Sequence, residues 1–231
     1  RGNTTTTLEP AMGEIALRDH FETDGNGIRH SFIGGNGHVH YIPSIIAPLI
    51  SRGEFLTAYT PYQPEVSQGT LQAMFEYQSM MANLMGAEIS NASLYDGSTA
   101  MLEACTMAQR ITQKSRILFG SLIHPEYIET IKTYSLGEIF THDFVATDAQ
   151  GRIDLADLAS QKTDAAALVV QTPNYFGIIE DLAAVKKALG DVLLIVVVTE
   201  AMSLALLRSP GSLGADIICG EAQSFGIPLS F

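Results

Sequence analysis

Tryptophan is absent from this sequence of 231 residues, and cysteine occurs only twice, at Cys105 and Cys219. The two cysteines stand far apart, each in an apolar setting, so we expect core thiols in a reducing compartment rather than a disulfide. Basic residues are scarce too, since 13 Lys and Arg oppose 25 Asp and Glu for a net charge of -12. Because phosphate neutralisation needs clustered Lys and Arg, this charge argues against nucleic acid and against anionic membrane surfaces.

Long hydrophobic runs are missing as well. The longest, residues 192–198, is far too short to cross a bilayer. The first residues show no basic stretch followed by an apolar one, so we expect no secretory signal and a cytoplasmic protein. Hydrophobic residues make up 46% and charged residues only 16%, which is typical of a globular protein with much of its surface covered. The length suits one domain or a large piece of one.

A proline-bracketed stretch, residues 57–69, is the most distinctive part of the sequence. Pro61 and Pro64 hold the residues before them extended and exclude helix. Ser67 is placed to cap the helix that follows, and Gly86 stands where this helix should stop. Apolar residues spaced by three and four predict its amphipathic face: Leu71, Met74, Phe75, Met81, Leu84 and Met85. A stiff loop is therefore pinned to a long helix.

This loop carries the main candidates for binding: Tyr59, Tyr62, Gln63 and Glu65. All have large hydrogen-bonding side chains, which a rigid loop can present to something outside it. In the alternative, the loop is an ordered surface crossing whose tyrosines lie on the core. Glu65 has its own alternative, because a carboxylate near a helix N-terminus is favourable in any case.

The rest of the chain predicts an α/β fold with a mostly parallel sheet flanked by helices. We expect an N-terminal arm and helix over residues 1–30 and one large α/β domain over residues 31–231. Strands are predicted at residues 89–95, 116–122, 138–145, 165–171 and 192–199, and helices at residues 43–49, 98–111, 126–134, 155–159 and 182–189. Such alternation is typical of right-handed crossovers between parallel strands.

Two segments at predicted strand ends offer binding chemistry, since ligands of open α/β sheets bind beyond the carboxyl ends of the strands. Tyr95, Asp96 and the small residues up to Thr99 open a helix whose N–H groups favour an anion such as phosphate. Ser98 is equally a plain N-cap. Residues 171–177, rich in proline and aromatics, can wall a pocket.

An H-x-H pair, His38 and His40, raises the question of a metal site. In a strand both rings would lie on one face. A metal site needs third and fourth ligands, however, and no cysteine or acidic cluster lies nearby in the sequence. We therefore expect packing or hydrogen-bonding histidines and no metal.

Several long sequence segments, in the same order, resemble the alpha subunits (subunit 1) of split glycine decarboxylases, the P-proteins of the glycine cleavage system. They are HYIPS at residues 40–44, TAYTPYQPEVSQGTLQAMFEYQ at 57–78, NASLYDGSTA at 91–100, QTPNYFG at 171–177 and GADIICGEAQSFGIPLSF at 214–231. The resemblance covers nearly everything from about residue 28 onward.

The resemblance implies a fold similar to the large domain of fold-type I pyridoxal-phosphate enzymes. It also implies a heterotetramer that decarboxylates glycine and passes the aminomethyl group to the lipoyl group of the H-protein. Pyridoxal phosphate is expected on the catalytic beta subunit (subunit 2), with the alpha chain completing the pocket at the shared interface. Because Arg1 is no initiator methionine and the family runs on past Phe231, we expect a piece of a longer chain without its C-terminal part.

By the same resemblance, the positions that would carry the cofactor are degenerate here. Glu200 matches the carboxylate that pairs with the pyridine nitrogen in such enzymes. No lysine follows it in the sequence, and the position of the Schiff-base lysine holds Gln223, whose amide cannot form that bond. No catalytic residue is therefore expected. The residues expected at the substrate pocket or subunit interface are Tyr59, Tyr62, Gln63, Glu65, Tyr95 and Asp96, with a structural role the favoured alternative for Asp96.

Two other functions remain open at this point. One is an independent pyridoxal-phosphate aminotransferase or lyase whose lysine lies beyond Phe231. The other is a non-catalytic binding protein on the same scaffold. The leading hypothesis is the partner subunit, inactive alone.

Overall fold

The computed structural model of this protein describes residues 10–25, 39–137 and 139–228. The chain divides into two units, residues 1–37 and 38–231, and each is described by itself. In the first unit, helix α1 runs over Glu14–Gly25 and confirms the helix predicted there. Arg18 and Glu22, one turn apart on α1, approach to 3.8 Å at the surface. The expected domain boundary at residue 30 and the side chain of His38 lie outside the described residues, and that boundary stays a prediction.

The second unit alternates helices and strands. Its helices are α2 (Ile46–Ile50), α3 (Gly53–Leu56), α4 (Gln68–Met85), α5 (Gly97–Thr112), α6 (Pro125–Ser135), α7 (Leu155–Gln161) and α8 (Leu182–Leu189). Its strands are β1 (Arg116–Gly120), β2 (Thr141–Val145), β3 (Ala165–Gln171), β4 (Leu193–Val198) and β5 (Ile217–Gly220). Short 3₁₀ turns lie at Ala201–Ala205, Gly211–Leu213 and Gln223–Phe225.

The strands form one parallel sheet of five, in the order β2-β1-β3-β4-β5. The central strands β3 and β4 are buried along almost their whole length. Their sequences are almost entirely apolar because a strand covered on both faces has no solvent side. The predicted α/β fold with a parallel sheet is therefore confirmed.

Two separate cores cover the two faces of the sheet. On one face, α5 and α6 pack on strand residues such as Phe119 and Ile195. On the other face, α7 and α8 pack on intervening residues such as Leu168 and Leu194. Because successive side chains of a strand point to opposite faces, each central strand contributes to both cores.

Most predicted elements after residue 97 are found, with ends shifted by a few residues. The strand predicted at residues 89–95 is wrong, because this segment has no ladder partner and exposes Ile89 and Tyr95. Strand β5 is not predicted from the sequence, because its 4 residues, which end in Gly220, are too few to show a period. The short helix predicted at residues 43–49 begins three positions later than expected, at Ile46.

Helix α4 forms where predicted and ends at Gly86, whose φ of 69° is the left-handed conformation of a helix C-cap. Ser67 occupies the N-cap position, but its side chain makes no capping hydrogen bond, so this part of the prediction is wrong. The predicted apolar face of α4 is not buried along its whole length either, since Leu71, Met74 and Phe75 are exposed. The first half of α4 is thus an apolar helix face without cover from the described chain.

The attachment of α4 lies at its C-terminal end. A Cβ on Gly211 would collide with the backbone carbonyl of Gly86, so the two glycines allow a close backbone approach. Further along the helix, the side-chain amide of Gln78 donates to the carbonyl of Ser90 at 2.6 Å. Both contacts lie in the second half of α4 or at its C-cap, and among the described residues no hydrogen bond joins its start to the sheet.

Gly211→Ala should destabilise the chain by about 1–3 kcal/mol, because the added methyl meets backbone atoms that cannot turn aside. Gly69→Ala is the matched control: nothing lies within 4 Å of a Cβ at this helical position. We expect this control to be neutral or to stabilise α4 by up to about 1 kcal/mol. Urea unfolding of the full-length chain measures both, and equal stabilities of the two variants would contradict the close approach.

Candidate functional site

The carboxyl ends of the parallel strands lie along one edge of the sheet, where open α/β sheets bind ligands. The N-terminus of α5, the residues after β4 and the residues after β5 all reach this edge. These segments carry Asp96, Glu200, Glu221 and Gln223. We refer to this region as the carboxyl edge.

At the start of α5, Asp96 is the N-cap. Its Oδ1 accepts hydrogen bonds from the Thr99 N–H at 2.7 Å and from the Ser98 hydroxyl at 2.8 Å, and the Thr99 hydroxyl completes a capping box. Partial burial works to raise the pKa of Asp96, but these hydrogen bonds outweigh it and the pKa is lowered. Asp96 therefore caps the helix in place of Ser98, in keeping with the structural alternative.

Glu221, directly after β5, occupies the space in front of α5. Its Oε1 accepts from the Gly97 N–H at 2.6 Å and from the Tyr127 hydroxyl at 2.8 Å. A Cβ on Gly97 would lie 2.8 Å from this oxygen and would collide with the tyrosine hydroxyl. The chain's own carboxylate thus lies where the sequence predicts an external anion. Glu221 is not predicted as a site residue from the sequence, because the strand that positions it, β5, is not predicted either.

Tyr127, on α6, is buried against this carboxylate. Burial, together with the nearby charge of Glu221, raises the pKa of the Tyr127 hydroxyl far above its usual range. The hydroxyl therefore stays protonated and acts as a donor. Gly97, Tyr127 and Glu221 form a closed cluster at the N-terminus of α5.

Glu200 is engaged on both oxygens. Its Oε1 accepts from the Met202 N–H at 2.9 Å and caps the 3₁₀ turn that follows β4. Its Oε2 lies 3.2 Å from Nε2 of His40, and both side chains are largely buried. This distance places the His40 ring within ion-pair reach of the Glu200 carboxylate. The resemblance alone connects Glu200 with a pyridine nitrogen.

Gln223 closes a turn. Its side-chain amide donates to the Ile227 carbonyl at 2.6 Å, and the Ile227 N–H donates to the Gln223 carbonyl at 3.0 Å. Gly226 between them has a φ of 112°, which a residue with a side chain rarely adopts, and Ile46 of α2 packs directly against it. The side-chain amide of Gln223 is therefore already used in a hydrogen bond that stabilises its own turn.

The end of β3 and the residues that follow it form a network of buried hydrogen bonds. Gln171 is buried, with its Oε1 accepting from the His124 N–H at 2.7 Å and its amide reaching the Thr199 hydroxyl at 3.3 Å. Asn174 binds the buried carboxylate of Glu180, whose pKa is raised by burial against the opposing hydrogen bonds. These contacts join the ends of β1, β3 and β4. The buried polar side chains of the expected pocket wall are therefore already used in stabilising the fold.

The loop candidates lie elsewhere on the surface. Tyr59 is 91% exposed and Tyr62 78% exposed, so the alternative that these tyrosines lie on the core is wrong for this chain. Gln63 and Glu65 are exposed as well. Within the described residues, no hydrogen bond or ring contact joins these four side chains to the carboxyl edge. Tyr95, by contrast, precedes the α5 cap directly and is fully exposed.

A groove of about 560 Å³ lies beside this loop. It is formed by α3, the loop and the start of α4, and its lining includes Arg52, Phe55, Tyr59 and Val66. Arg52 and Glu54 form an exposed ion pair of 2.7 Å at this groove. The groove thus combines aromatic and charged side chains on the chain's surface.

Two classes of site are not found in the part of the chain that the structure describes. No group of three or more His, Cys, Asp and Glu side chains is arranged to hold a metal ion there. Over the same residues, none of the helices has the length and apolarity needed to span a bilayer.

Asp96→Ala should lower the free energy of unfolding by about 1 kcal/mol at neutral pH through loss of the α5 cap. Since the folded pKa of Asp96 is lowered, its charge stabilises the fold above the unfolded pKa of about 3.9, and this gain is lost as the pH falls through the folded pKa. The difference between the wild type and Asp96→Ala should therefore narrow below about pH 4.

Asp96→Asn is the matched control for this pH dependence. Asparagine keeps a capping oxygen without the charge, so we expect most of the stability and a smaller change with pH. Denaturant unfolding of the full-length chain between about pH 3 and pH 7 tests this pair, the window following from the ordinary aspartate pKa. A pH-independent difference between the wild type and Asp96→Ala would contradict it.

Comparison with known proteins adds the family context. The family profile "Glycine cleavage system P-protein" matches residues 1–231. The "Probable glycine dehydrogenase (decarboxylating) subunit 1" of Desulfotalea psychrophila is 45% identical over 97% of this chain and 51% of its own length. The chain thus spans about half the length of this curated relative.

Solved structures agree with the fold. The crystal structure of a glycine decarboxylase (P-protein) of the glycine cleavage system, in inhibitor-bound form, is 36% identical with a TM-score of 0.82 over 99% of this chain and 52% of that chain. A NifS-like protein, 16% identical, has a TM-score of 0.61 over 84% of this chain and 55% of its own, and shares the fold alone. The architecture is that of the large domain of fold-type I pyridoxal-phosphate enzymes, and the chain belongs to the glycine cleavage system P-protein family.

Proposed function

We propose that this chain is part of the non-cofactor-bearing subunit of a split glycine decarboxylase. Together with a catalytic beta subunit (subunit 2) it would decarboxylate glycine and transfer the aminomethyl group to the lipoyl group of the H-protein. The observation that carries this proposal is the carboxyl edge, where the chain's own side chains take the places that a cofactor needs. The relative from Desulfotalea psychrophila, named as subunit 1, supports a two-subunit enzyme.

Pyridoxal phosphate does not fit the residues of this edge. An amide stands at Gln223 instead of an amine, and it is bonded to its own turn. Glu221 lies against the Gly97 N–H, where a phosphate would need the donor. Glu200 is shared between His40 and a backbone N–H. We therefore place the cofactor on the partner subunit and derive no catalytic step on this chain.

The surface available to the partner is the loop–α4 surface, defined as Tyr59, Tyr62, Val66, Leu71, Met74 and Phe75. All of these side chains are exposed, although they are aromatic or aliphatic. Clustered apolar exposure of this kind marks an interaction site in soluble proteins, and aromatic residues and methionine are enriched at interface cores. The beta subunit is the partner that the family provides for it.

Polar groups on the same loop supply orientation. Gln63 and Glu65 are exposed between the two tyrosines and the start of α4, so they can hydrogen-bond to a facing subunit without first breaking contacts within the fold. We assign Tyr59, Tyr62, Gln63 and Glu65 to the shared pocket entrance. Tyr95, exposed at the carboxyl edge, is assigned to the same interface, whereas Asp96 serves it through the α5 cap. Their work is to orient substrate and exclude water rather than to react.

The full-length chain, mixed with pyridoxal phosphate alone, should show no aldimine absorbance near about 420 nm and no glycine–bicarbonate exchange. Adding the beta chain and lipoylated H-protein should produce both, because the cofactor is bound by the partner. Absorbance and activity are measured before and after each addition. A borohydride-stable cofactor adduct on the full-length chain by itself would refute the subunit assignment and favour an independent enzyme.

Tyr62→Phe and Gln63→Ala should each lower exchange by the assembled complex about tenfold, the size expected for losing one hydrogen bond at an interface worth about 1.4 kcal/mol. Both side chains are exposed, so the Tm of the isolated chain should stay unchanged. Tyr134→Phe, at an exposed tyrosine on α6, is the control and should leave exchange unaltered. Full activity of both loop variants would remove these residues from the pocket.

A further inference from the structure

The N-terminus of α5 is filled from within the chain. The Gly97 N–H donates to Glu221 at 2.6 Å, and the Thr99 N–H donates to Asp96 at 2.7 Å. These are among the N–H groups of a first helical turn that have no partner inside the helix. Since both donate to carboxylates of the chain itself, an arriving anion finds neither of them free.

We propose that Glu221 is an internal anion that takes the place of a cofactor phosphate at the α5 N-terminus. It closes this half of the site to phosphate independently of the amide at position 223. The inference rests on the proposed function in that it concerns a cofactor this chain is assigned not to carry. Its chemistry, competition between a carboxylate and a phosphate for one helix terminus, stands apart from glycine decarboxylation.

The backbone of Glu221 is fixed before its side chain is considered. Its N–H donates to the Val198 carbonyl at 3.0 Å at the end of β4. The preceding Gly220 lies so close to the backbone of Val198 that a Cβ there would collide with it. The pairing of β4 and β5 therefore delivers the carboxylate to the same point in every folded molecule.

Space and charge at this point also favour the carboxylate. Tyr127 donates its hydroxyl at 2.8 Å to the same oxygen of Glu221 that accepts from Gly97. A phosphate would have to displace both Glu221 and the buried Tyr127 ring from in front of Gly97. A negative group near the start of a helix is electrostatically stabilised, and this requirement is already met.

The first experiment measures phosphate binding to the full-length chain. Wild type, Glu221→Ala and Glu129→Ala are melted in rising inorganic phosphate, against sodium chloride of matched ionic strength. Glu129 is an exposed acid of α6, so its variant removes the same charge away from the site. All proteins should gain the small general stabilisation that phosphate gives by exclusion from protein surfaces. Only Glu221→Ala should gain a further, saturable rise in Tm, of about 4 °C at 100 times the Kd, as ligand linkage predicts.

A saturable rise of equal size in the wild type would overturn the proposal, and so would the lack of any extra rise in a folded Glu221→Ala. Glu221→Gln sharpens the measurement, because glutamine can still accept from Gly97 and Tyr127 but carries no charge. We expect a Tm lowered by about 2 °C and no saturable phosphate effect, since the space stays filled.

A second experiment does not need Glu221→Ala to fold. Gln223→Lys, with Glu221 retained, is treated with pyridoxal phosphate or with 5′-deoxypyridoxal, which lacks the phosphate and cannot close to an internal hemiacetal, and then with borohydride. The lysine amine condenses with the aldehyde with loss of water, borohydride delivers hydride to the C=N bond, and peptide mapping quantifies the adduct at position 223. We expect equal labelling by the two aldehydes within about twofold, because the phosphate finds no donors.

Labelling of position 223 at a concentration of pyridoxal phosphate at least tenfold lower than that of 5′-deoxypyridoxal would overturn the proposal. A cofactor adduct on the wild-type chain would instead refute the subunit assignment. Failure of this proposal and failure of the proposed function can therefore be distinguished. The same mapping of Gln223→Arg gives the background, because a guanidinium forms no adduct under these conditions.

Discussion

The fold depends on burying β3 and β4 on both faces. Two helical layers cover these strands, and their side chains divide between two apolar cores. Polar groups are costly inside such layers unless they are hydrogen-bonded, so chemistry is confined to the ends of the strands. The carboxyl edge is where Gln171, Glu200 and Glu221 all lie, and every one of these side chains is hydrogen-bonded within the chain.

The carboxyl edge is thus stabilised by the chain's own side chains. Glu221 satisfies the helix terminus, Glu200 holds His40, and Gln223 secures a turn. On the proposed function, these contacts occupy polar groups that a cofactor-bearing chain would leave for its cofactor. Since buried unpaired polar groups cost about 1–3 kcal/mol each, such internal replacement lets the edge stay ordered by itself.

The sheet was predictable because its central strands are apolar and because the strands alternate along the chain with amphipathic helices. Strand β3, for example, lies at the residues expected. The site was predictable only in part. Glu221 and Gly97 are 124 residues apart, and no local pattern reveals that β5 brings them together. The exposure of Phe75 is equally hidden, because a helical stripe predicts that a face is buried without saying which molecule covers it. Residue types at strand ends were the informative signal, and long-range pairing was the missing one.

Helix α4 is fastened by the Gly86–Gly211 contact at one end and carries its apolar side chains toward the other. In the part of the chain that the structure describes, no other element covers these side chains, and on the proposed function the partner subunit would cover them. The two subunits of the proposed enzyme would therefore be needed in equal amounts, so that every such helix face is covered. On the proposed function, any surplus of this chain over its partner would leave apolar helix faces exposed to water, so joint synthesis of both chains would be favoured.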